Sequence, residues 1–192
     1  MKLMIASDIH GSAVYCEKML EAYAREGAER LLILGDILYH GPRNDLPEGY
    51  APKKVISMLN NKRTELLCVR GNCDTEVDQM VLEFPILADY CFLELDADRG
   101  VTVFATHGHC YNPRHLPPLK KGEILLNGHT HIPACEEVCM ENGDVVYYLN
   151  PGSVSIPKEQ SEHSYMIYEN GEFHWKNLEG KEYKTWKIDM RY

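Results

Sequence analysis

Nothing in this sequence of 192 residues approaches the length of apolar run that spans a membrane. The first apolar stretch, Leu3-Met4-Ile5-Ala6, follows a single Lys and is cut off by Asp8, which is too short for the hydrophobic segment of a secretion signal. Clustered Lys and Arg are also missing. With a formal net charge of -9, the chain offers no evident surface for neutralising the phosphates of a nucleic acid. The seven cysteines, Cys16, Cys68, Cys73, Cys91, Cys110, Cys135 and Cys139, are odd in number and contain no CxxC pair, which suits a reducing cytosol. Repeats, linkers and low-complexity tracts are absent too. The expectation is a cytoplasmic protein folded as one domain over residues 1–192, and at 44% hydrophobic residues that length buries one sizeable core.

What the sequence does contain is an ordered series of metal-ligating side chains. They read Asp8-Ile9-His10, Gly35-Asp36, Gly71-Asn72-Cys73-Asp74, Thr106-His107-Gly108-His109 and Gly128-His129-Thr130-His131. Each cluster follows an apolar run of strand length: Leu3–Ala6, Leu31–Leu34, Leu66–Val69, Val101–Phe104 and Glu123–Leu126. Five strand ends are therefore expected to converge on one site. Carboxylate and amide oxygens mixed with imidazoles form a donor set for Mn, with Zn, Fe or Ni as alternatives, because geometry and supply as well as ligand type select the metal.

Between the clusters the periodicity alternates. Ala13, Cys16, Leu20, Tyr23 and Ala24 recur at helical spacing after Gly11-Ser12, with Gly27 placed to end the helix. A second helix starts with Pro52 in its first turn, carries Val55, Ile56 and Leu59 on one face and ends near Asn60-Asn61. Strand, helix, strand, helix, strand implies a parallel unit. From about residue 85 the texture becomes strands and tight turns, with Asp98-Arg99-Gly100, Asn142-Gly143 and Asn170-Gly171 as hairpin signals, the last two of the Asn-Gly type that favours a type I′ turn. The aromatic C-terminal stretch, from Tyr165 to Ile188, reads as antiparallel sheet. The two halves would then form facing sheets with helices outside, and the ligands would lie on loops at the carboxyl ends of the strands.

Alternation of side chains along an extended chain lets Asp8 and His10 point the same way, and likewise His129 and His131. Asp36 stands alone after Gly35, which permits close backbone approach. It is the natural carboxylate to bridge two cations about 3.5–4 Å apart. Asn72 supplies a neutral oxygen and His107 completes the set.

The ordered pattern Asp-x-His, Gly-Asp, Gly-Asn-x-Asp, His, Gly-His-x-His resembles the calcineurin-like metallophosphoesterase superfamily. Ser7-Asp8-Ile9-His10-Gly11-Ser12, His40-Gly41-Pro42-Arg43-Asn44, Leu46-Pro47-Glu48-Gly49-Tyr50-Ala51-Pro52, Arg70-Gly71-Asn72-Cys73-Asp74 and Asn150-Pro151-Gly152-Ser153-Val154-Ser155 resemble its YfcE-type bacterial phosphodiesterases. The resemblance runs from residue 1 to about 158 and is thin beyond. It implies a four-layer α/β/β/α sandwich of two facing mixed sheets flanked by helices. It also implies two divalent ions, one held by Asp8, His10, Asp36 and His131, the other by Asp36, Asn72, His107 and His129, with a bridging hydroxide that attacks phosphorus in line.

Other residues keep two readings each. The superfamily usually has His after the motif Asn, where this chain and the YfcE-type subgroup have Cys73. That Cys is either a neighbour of the metals on the substrate side or a buried small hydrophobe. His109 is a substitute proton donor or a solvent-facing loop histidine, and Asp74 orients a ligand or caps the next helix. Arg43 clamps a substrate phosphate, with His40 and Tyr50 beside the organic part, or is a solvated loop residue. The function expected is hydrolysis of a small or nucleotide-derived phosphodiester. Phosphomonoesterase action and a non-catalytic scaffold resembling the metallophosphoesterase-like subunit of retromer are the alternatives. A homo-oligomer is the one partner the resemblance adds.

Overall fold

In the computed structural model, which describes residues 1–96 and 100–188, the four apolar residues Leu3–Ala6 form strand β1 and are buried on both faces. Ser12 then opens helix α1 (Ala13–Glu26), its Oγ accepting the N–H of Tyr15 at 3.2 Å, and Gly27 closes it at φ 61°. Strand β2 (Arg30–Ile33), helix α2 (Pro52–Asn60), strand β3 (Leu66–Cys68) and the four-residue helix α3 (Glu76–Gln79) follow. Strands β1, β2 and β3 run parallel, with Leu3 opposite Arg30 and Leu31 opposite Leu66. The helix lengths and the parallel unit are as the periodicity predicts.

Strands β4 (Tyr90–Asp96), β5 (Val101–Thr106), β6 (Ile124–Leu126), β7 (Ala134–Cys139) and β8 (Val145–Asn150) make a second sheet in the order β4-β5-β6-β8-β7. The last three strands, β9 (Ser164–Glu169), β10 (Glu172–Asn177) and β11 (Glu182–Lys187), correct the simple division into halves. They return to the first sheet, whose order is β11-β10-β9-β1-β2-β3, with β9 antiparallel to β1. The reason lies in β1: with Leu3, Met4, Ile5 and Ala6 all buried, it needs a hydrogen-bonded neighbour on each side and both faces covered, and an exposed edge would invite aggregation.

Alternation along β1 and β2 separates two cores. Met4, Ala6, Leu31 and Ile33 pack against Cys16, Met19, Val55 and Leu59 of the helices. Leu3, Ile5, Leu32 and Leu34, together with Phe173 and Trp175 of β10 in the same sheet, face the second sheet and meet Val103, Ala105 and Leu126. Outside the second sheet, Phe104, Leu125 and Tyr148 are covered by Tyr111, Leu116 and Leu119 from the segment between β5 and β6, so this outermost layer is irregular chain rather than helix among the described residues.

The turns divide by geometry. Asn170 and Gly171 both take positive φ, 52° and 84°, as a type I′ turn requires. Gly143 is at φ 86° while Asn142 stays out of the left-handed region, because a longer turn pairs Met140 N–H with Asp144 O at 2.8 Å and uses the Asn142 side chain to accept Asp144 N–H at 3.0 Å. The expected type I′ turn there is thus replaced. Asp98 and Arg99 lie outside the described residues. No helix among the described residues is long and apolar enough to cross a membrane, and all seven cysteines are unpaired.

Candidate metal centre

Five of the seven expected ligands sit in backbone conformations that L residues rarely adopt: Asp8, His10, Asp36, His129 and His131 have φ of 60°, 49°, 56°, 64° and 63°. Each such residue costs on the order of 1 kcal/mol, and strain of this kind collects at functional sites. The left-handed residues turn the chain sharply as it leaves the sheets, so that side chains from the ends of β1, β2, β3, β5 and β6 aim at one point. Close backbone approach completes the convergence. A Cβ at Gly35 would strike the backbone of Gly71, and one at Gly71 would overlap the backbone nitrogen and Oδ1 of Asp36.

The donor atoms fall into two groups that share Asp36. In the first, Asp8 Oδ1 is 3.2 Å from His131 Nε2 and 3.5 Å from His10 Nε2, which in turn is 3.8 Å from Asp36 Oδ2. In the second, His107 Nε2 is 3.4 Å from Asp36 Oδ2 and 3.1 Å from both Asn72 Oδ1 and His129 Nδ1. All seven expected ligands are therefore brought together, and Asp36 Oδ2 lies between the groups.

The tautomers decide whether cations fit. His10 Nδ1 lies 2.8 Å from the carbonyl oxygen of Tyr39, His131 Nδ1 2.6 Å from that of Ile156 and His107 Nδ1 2.7 Å from that of Leu34. A carbonyl only accepts, so each Nδ1 carries a proton and each Nε2 faces inward, where either a second proton or a cation can sit. His10 Nε2 and His131 Nε2 then face each other at 3.1 Å, two acceptors when both rings are neutral. Asp8 Oδ1, fully buried, has no hydrogen-bond partner. Converging lone pairs and an orphaned carboxylate oxygen are costly alone and favourable around a divalent cation. The residues fit two such ions.

The charges agree with this. Burial works against ionised carboxylates, but the imidazoles beside them prevail, holding Asp8 well below and Asp36 below the usual carboxylate range. Burial likewise opposes a charged His107, yet Asp36 and Asp8 lift it to about 9. A proton and a cation would thus compete for its Nε2, and metal uptake there would release the proton. Burial and then the positive charge of His107 push His129 down to about 4, which leaves its ring nitrogen free to coordinate.

A layer of polar groups fixes the ligand turns. Asp74 accepts the backbone N–H groups of Asp36 and Gly71 on Oδ2, at 2.8 and 2.7 Å, and that of Ile37 on Oδ1 at 2.9 Å. The cap of α3 is Thr75 rather than Asp74, whose carboxylate is spent on the backbone N–H groups of these turns. Ser153 and Ser155 both donate their hydroxyls to the Asp8 carbonyl at 3.0 Å, and Asn150 Nδ2 donates to Gly128 O at 2.7 Å.

Beside the centre opens a cleft of about 430 Å³ lined by His10, Asp36, Asn72, His129 and His131 together with Gly41, Pro42, Arg43, Asn44, Cys73, Thr130 and Lys158. Arg43 is in the cleft wall, as its substrate-binding reading requires. Cys73 lines it as well, with its thiol within 4.8 Å of donor atoms of His10 and Asp36. Burial, followed by the charge of Asp36, pushes that thiol up, so it stays protonated. His109 is exposed beside the centre, its ring centre 5.5 Å from that of His107 and 6.3 Å from that of His129, and desolvation and then the charge of His107 lower its pKa. His40 and Tyr50 pack edge to face at 5.4 Å, and Tyr50 lies over Gly11, so neither lines the cleft. Sequence reasoning missed Lys158, Thr130 and Asn44. The one available signal was Lys158 lying just beyond the Asn150–Ser155 motif.

Comparison with known proteins agrees with the geometry. Residues 1–172 match the calcineurin-like phosphoesterase superfamily domain. The chain is 51% identical over 170 residues to phosphodiesterase YfcE of Escherichia coli strain K12, covering 88% of each protein. The solved structure of YfcE, described as a phosphoesterase from E. coli, superposes with a TM-score of 0.89 at 45% identity, covering 98% of this chain and 100% of that one. An archaeal phosphodiesterase shares the fold at 22% identity, with a TM-score of 0.61 over 91% of this chain and 98% of its own. The family match runs to residue 172 and the structural match covers 98% of the chain, so the resemblance does not stop near residue 158 as the sequence motifs suggested. The chain belongs to the calcineurin-like phosphoesterase superfamily.

Proposed function

We propose that this protein is a metal-dependent phosphodiesterase that hydrolyses a small or nucleotide-derived phosphodiester at a centre of two divalent ions, Mn before Zn, Fe or Ni. The observation that carries the reading is the pair of donor groups sharing Asp36 Oδ2, with inward-facing Nε2 atoms fixed by backbone carbonyls. The 51% identity to a phosphodiesterase over most of both chains supports the reaction class.

Bound there, two cations would supply Lewis acidity toward the phosphoryl oxygens and a water of lowered pKa as nucleophile. Asp8, His10, Asp36 and His131 would hold one ion, and Asp36, Asn72, His107 and His129 the other. Arg43 would meet substrate charge at the cleft wall, while Asp74 would keep Asp36 in its turn. Cys73 presents a neutral thiol where many relatives of the superfamily carry His, and His109 is an exposed residue beside His107 and His129. Leaving groups that need little protonation are therefore favoured, since general acid assistance typically contributes about 10²–10⁴-fold.

The test is hydrolysis of bis-p-nitrophenyl phosphate and p-nitrophenyl phosphate by metal-stripped protein, with Mn, Ni, Zn or Fe restored one at a time. Metal-dependent cleavage of the diester well above the monoester is expected. The reverse ranking would make the protein a monoesterase, and no turnover with two ions bound would leave the scaffold.

A further inference from the structure

Two cationic residues line the cleft from different loops, Arg43 and Lys158, and both are exposed. Among the described residues neither makes a hydrogen bond, ion pair or ring contact through its side chain. The chain carries a net charge of -9, with Asp and Glu in excess, so two unpaired cations beside one cleft stand out from its surroundings.

Lys158 is held in place by unusual backbone. It begins a four-residue turn closed by Ser161 N–H on Lys158 O at 3.0 Å, and the two central residues, Glu159 and Gln160, have φ of 52° and 61°. Neither is glycine, the residue such a turn favours, and neither is a ligand of the centre. The turn is fastened to His131. Lys158 N–H donates to His131 O at 3.2 Å, His131 Nδ1 donates to Ile156 O at 2.6 Å, and Ser161 Oγ donates to Lys158 O at 2.6 Å. Strained backbone kept in register with a metal-ligand histidine fixes where Lys158 leaves the chain relative to the centre.

The position is wrong for charge at the reacting phosphorus alone. Asp8, His10, Asp36 and His131 are at most 3% exposed, whereas both cations are exposed to solvent. The cleft of about 430 Å³ also falls in the range of pockets, roughly 300–1,000 Å³, that hold whole small ligands rather than one anion.

We infer that Lys158 and Arg43 form a second anion subsite, so that the preferred substrate is a phosphodiester whose organic part carries a further phosphate or carboxylate group. This rests on the phosphodiesterase reading for the reaction and on the turn geometry for the subsite. Arg43 presents a planar fork and Lys158 a compact point charge, a combination that grips a terminal phosphate.

The test is titration calorimetry of the Mn-loaded protein with thymidine 3′,5′-bisphosphate and with thymidine 5′-monophosphate, for the wild type, Lys158→Met, Lys158→Arg and Arg43→Met. The wild type is expected to bind the bisphosphate at least tenfold more tightly. Lys158→Met and Arg43→Met should each reduce that ratio to threefold or less, and Lys158→Arg should restore most of it. An unchanged ratio in both methionine variants, or equal weakening of both ligands, would overturn the subsite. Hydrolysis of bis-p-nitrophenyl phosphate by the same wild-type sample separates the two claims. Turnover with no dependence of the ratio on Lys158 or Arg43 refutes the subsite alone, and a Lys158-dependent ratio without turnover refutes the phosphodiesterase reading alone.

Discussion

The carboxylate of Asp74 accepts the backbone N–H of Asp36 at 2.8 Å, so one acidic residue holds the turn from which the other reaches both groups of metal donors. The same oxygen takes Gly71 N–H at 2.7 Å, tying the ends of β2 and β3 together. Asp74→Asn keeps the shape but replaces an acceptor by an amide that must present N–H to N–H on one side. Metal affinity is expected to fall about 10–100-fold, the effect typical of groups that orient ligands, with the circular dichroism spectrum of the fold retained. Metal titration of the variant checks this; unchanged affinity would leave Asp74 a purely structural residue.

Gly71 tolerates no side chain. A Cβ there would overlap the backbone nitrogen and Oδ1 of Asp36, and the obstruction is backbone and a buried ligand rather than the end of a flexible chain. Gly71→Ala is expected to lower stability by about 3 kcal/mol, the upper range for overpacking, and to displace Asp36 from the centre. Chemical denaturation measures the first effect and metal content the second. A loss of stability without loss of metal would show that Asp36 is held by something other than this contact.

Much of this was legible in the sequence because it was written in local signals. Ser12 and Gly27 mark the ends of α1, and the ligand clusters sit directly behind apolar runs. The return of β9, β10 and β11 to the first sheet was not legible, since Tyr165, Phe173 and Trp175 announce strands without announcing partners. That choice is made by β1, which has apolar residues on both faces and an open edge to cover. In the site, the seven residues that the fold gathers were readable by type and order. Lys158 was not, because a lysine on a loop acquires meaning only when Glu159 and Gln160 turn it back toward His131. His40 and Tyr50 misled for the opposite reason: aromatic residues beside a site motif pack on each other and on Gly11 instead of facing the cleft.

Far from the centre, Glu26 joins α1 to the returning strands. Its side chain is 8% exposed and accepts Tyr165 Oη–H at 2.8 Å and Lys176 Nζ at 2.9 and 3.0 Å. Burial disfavours its charge, but the bonds from Lys176 and Tyr165 win and hold its pKa below the usual value. A carboxyl that ionises more readily folded than unfolded stabilises above its unfolded pKa of about 4.3, and the contribution fades as pH falls through the lower folded value. Glu26→Gln should therefore cost about 2 kcal/mol at pH 7, where it weakens charge-assisted hydrogen bonds, and the gap should close in acid. Denaturation of both proteins between pH 7 and pH 3 checks the sign; a gap that widens in acid would contradict it.

The central claim is that two ions share Asp36. Equilibrium dialysis against Mn followed by elemental analysis, on the wild type and on Asp36→Asn, tests it most directly. Two ions per wild-type chain and one or none in the variant is the predicted result, because Asp36 Oδ2 stands between the two donor groups. A single ion in the wild type, or two retained by Asp36→Asn, would contradict the account.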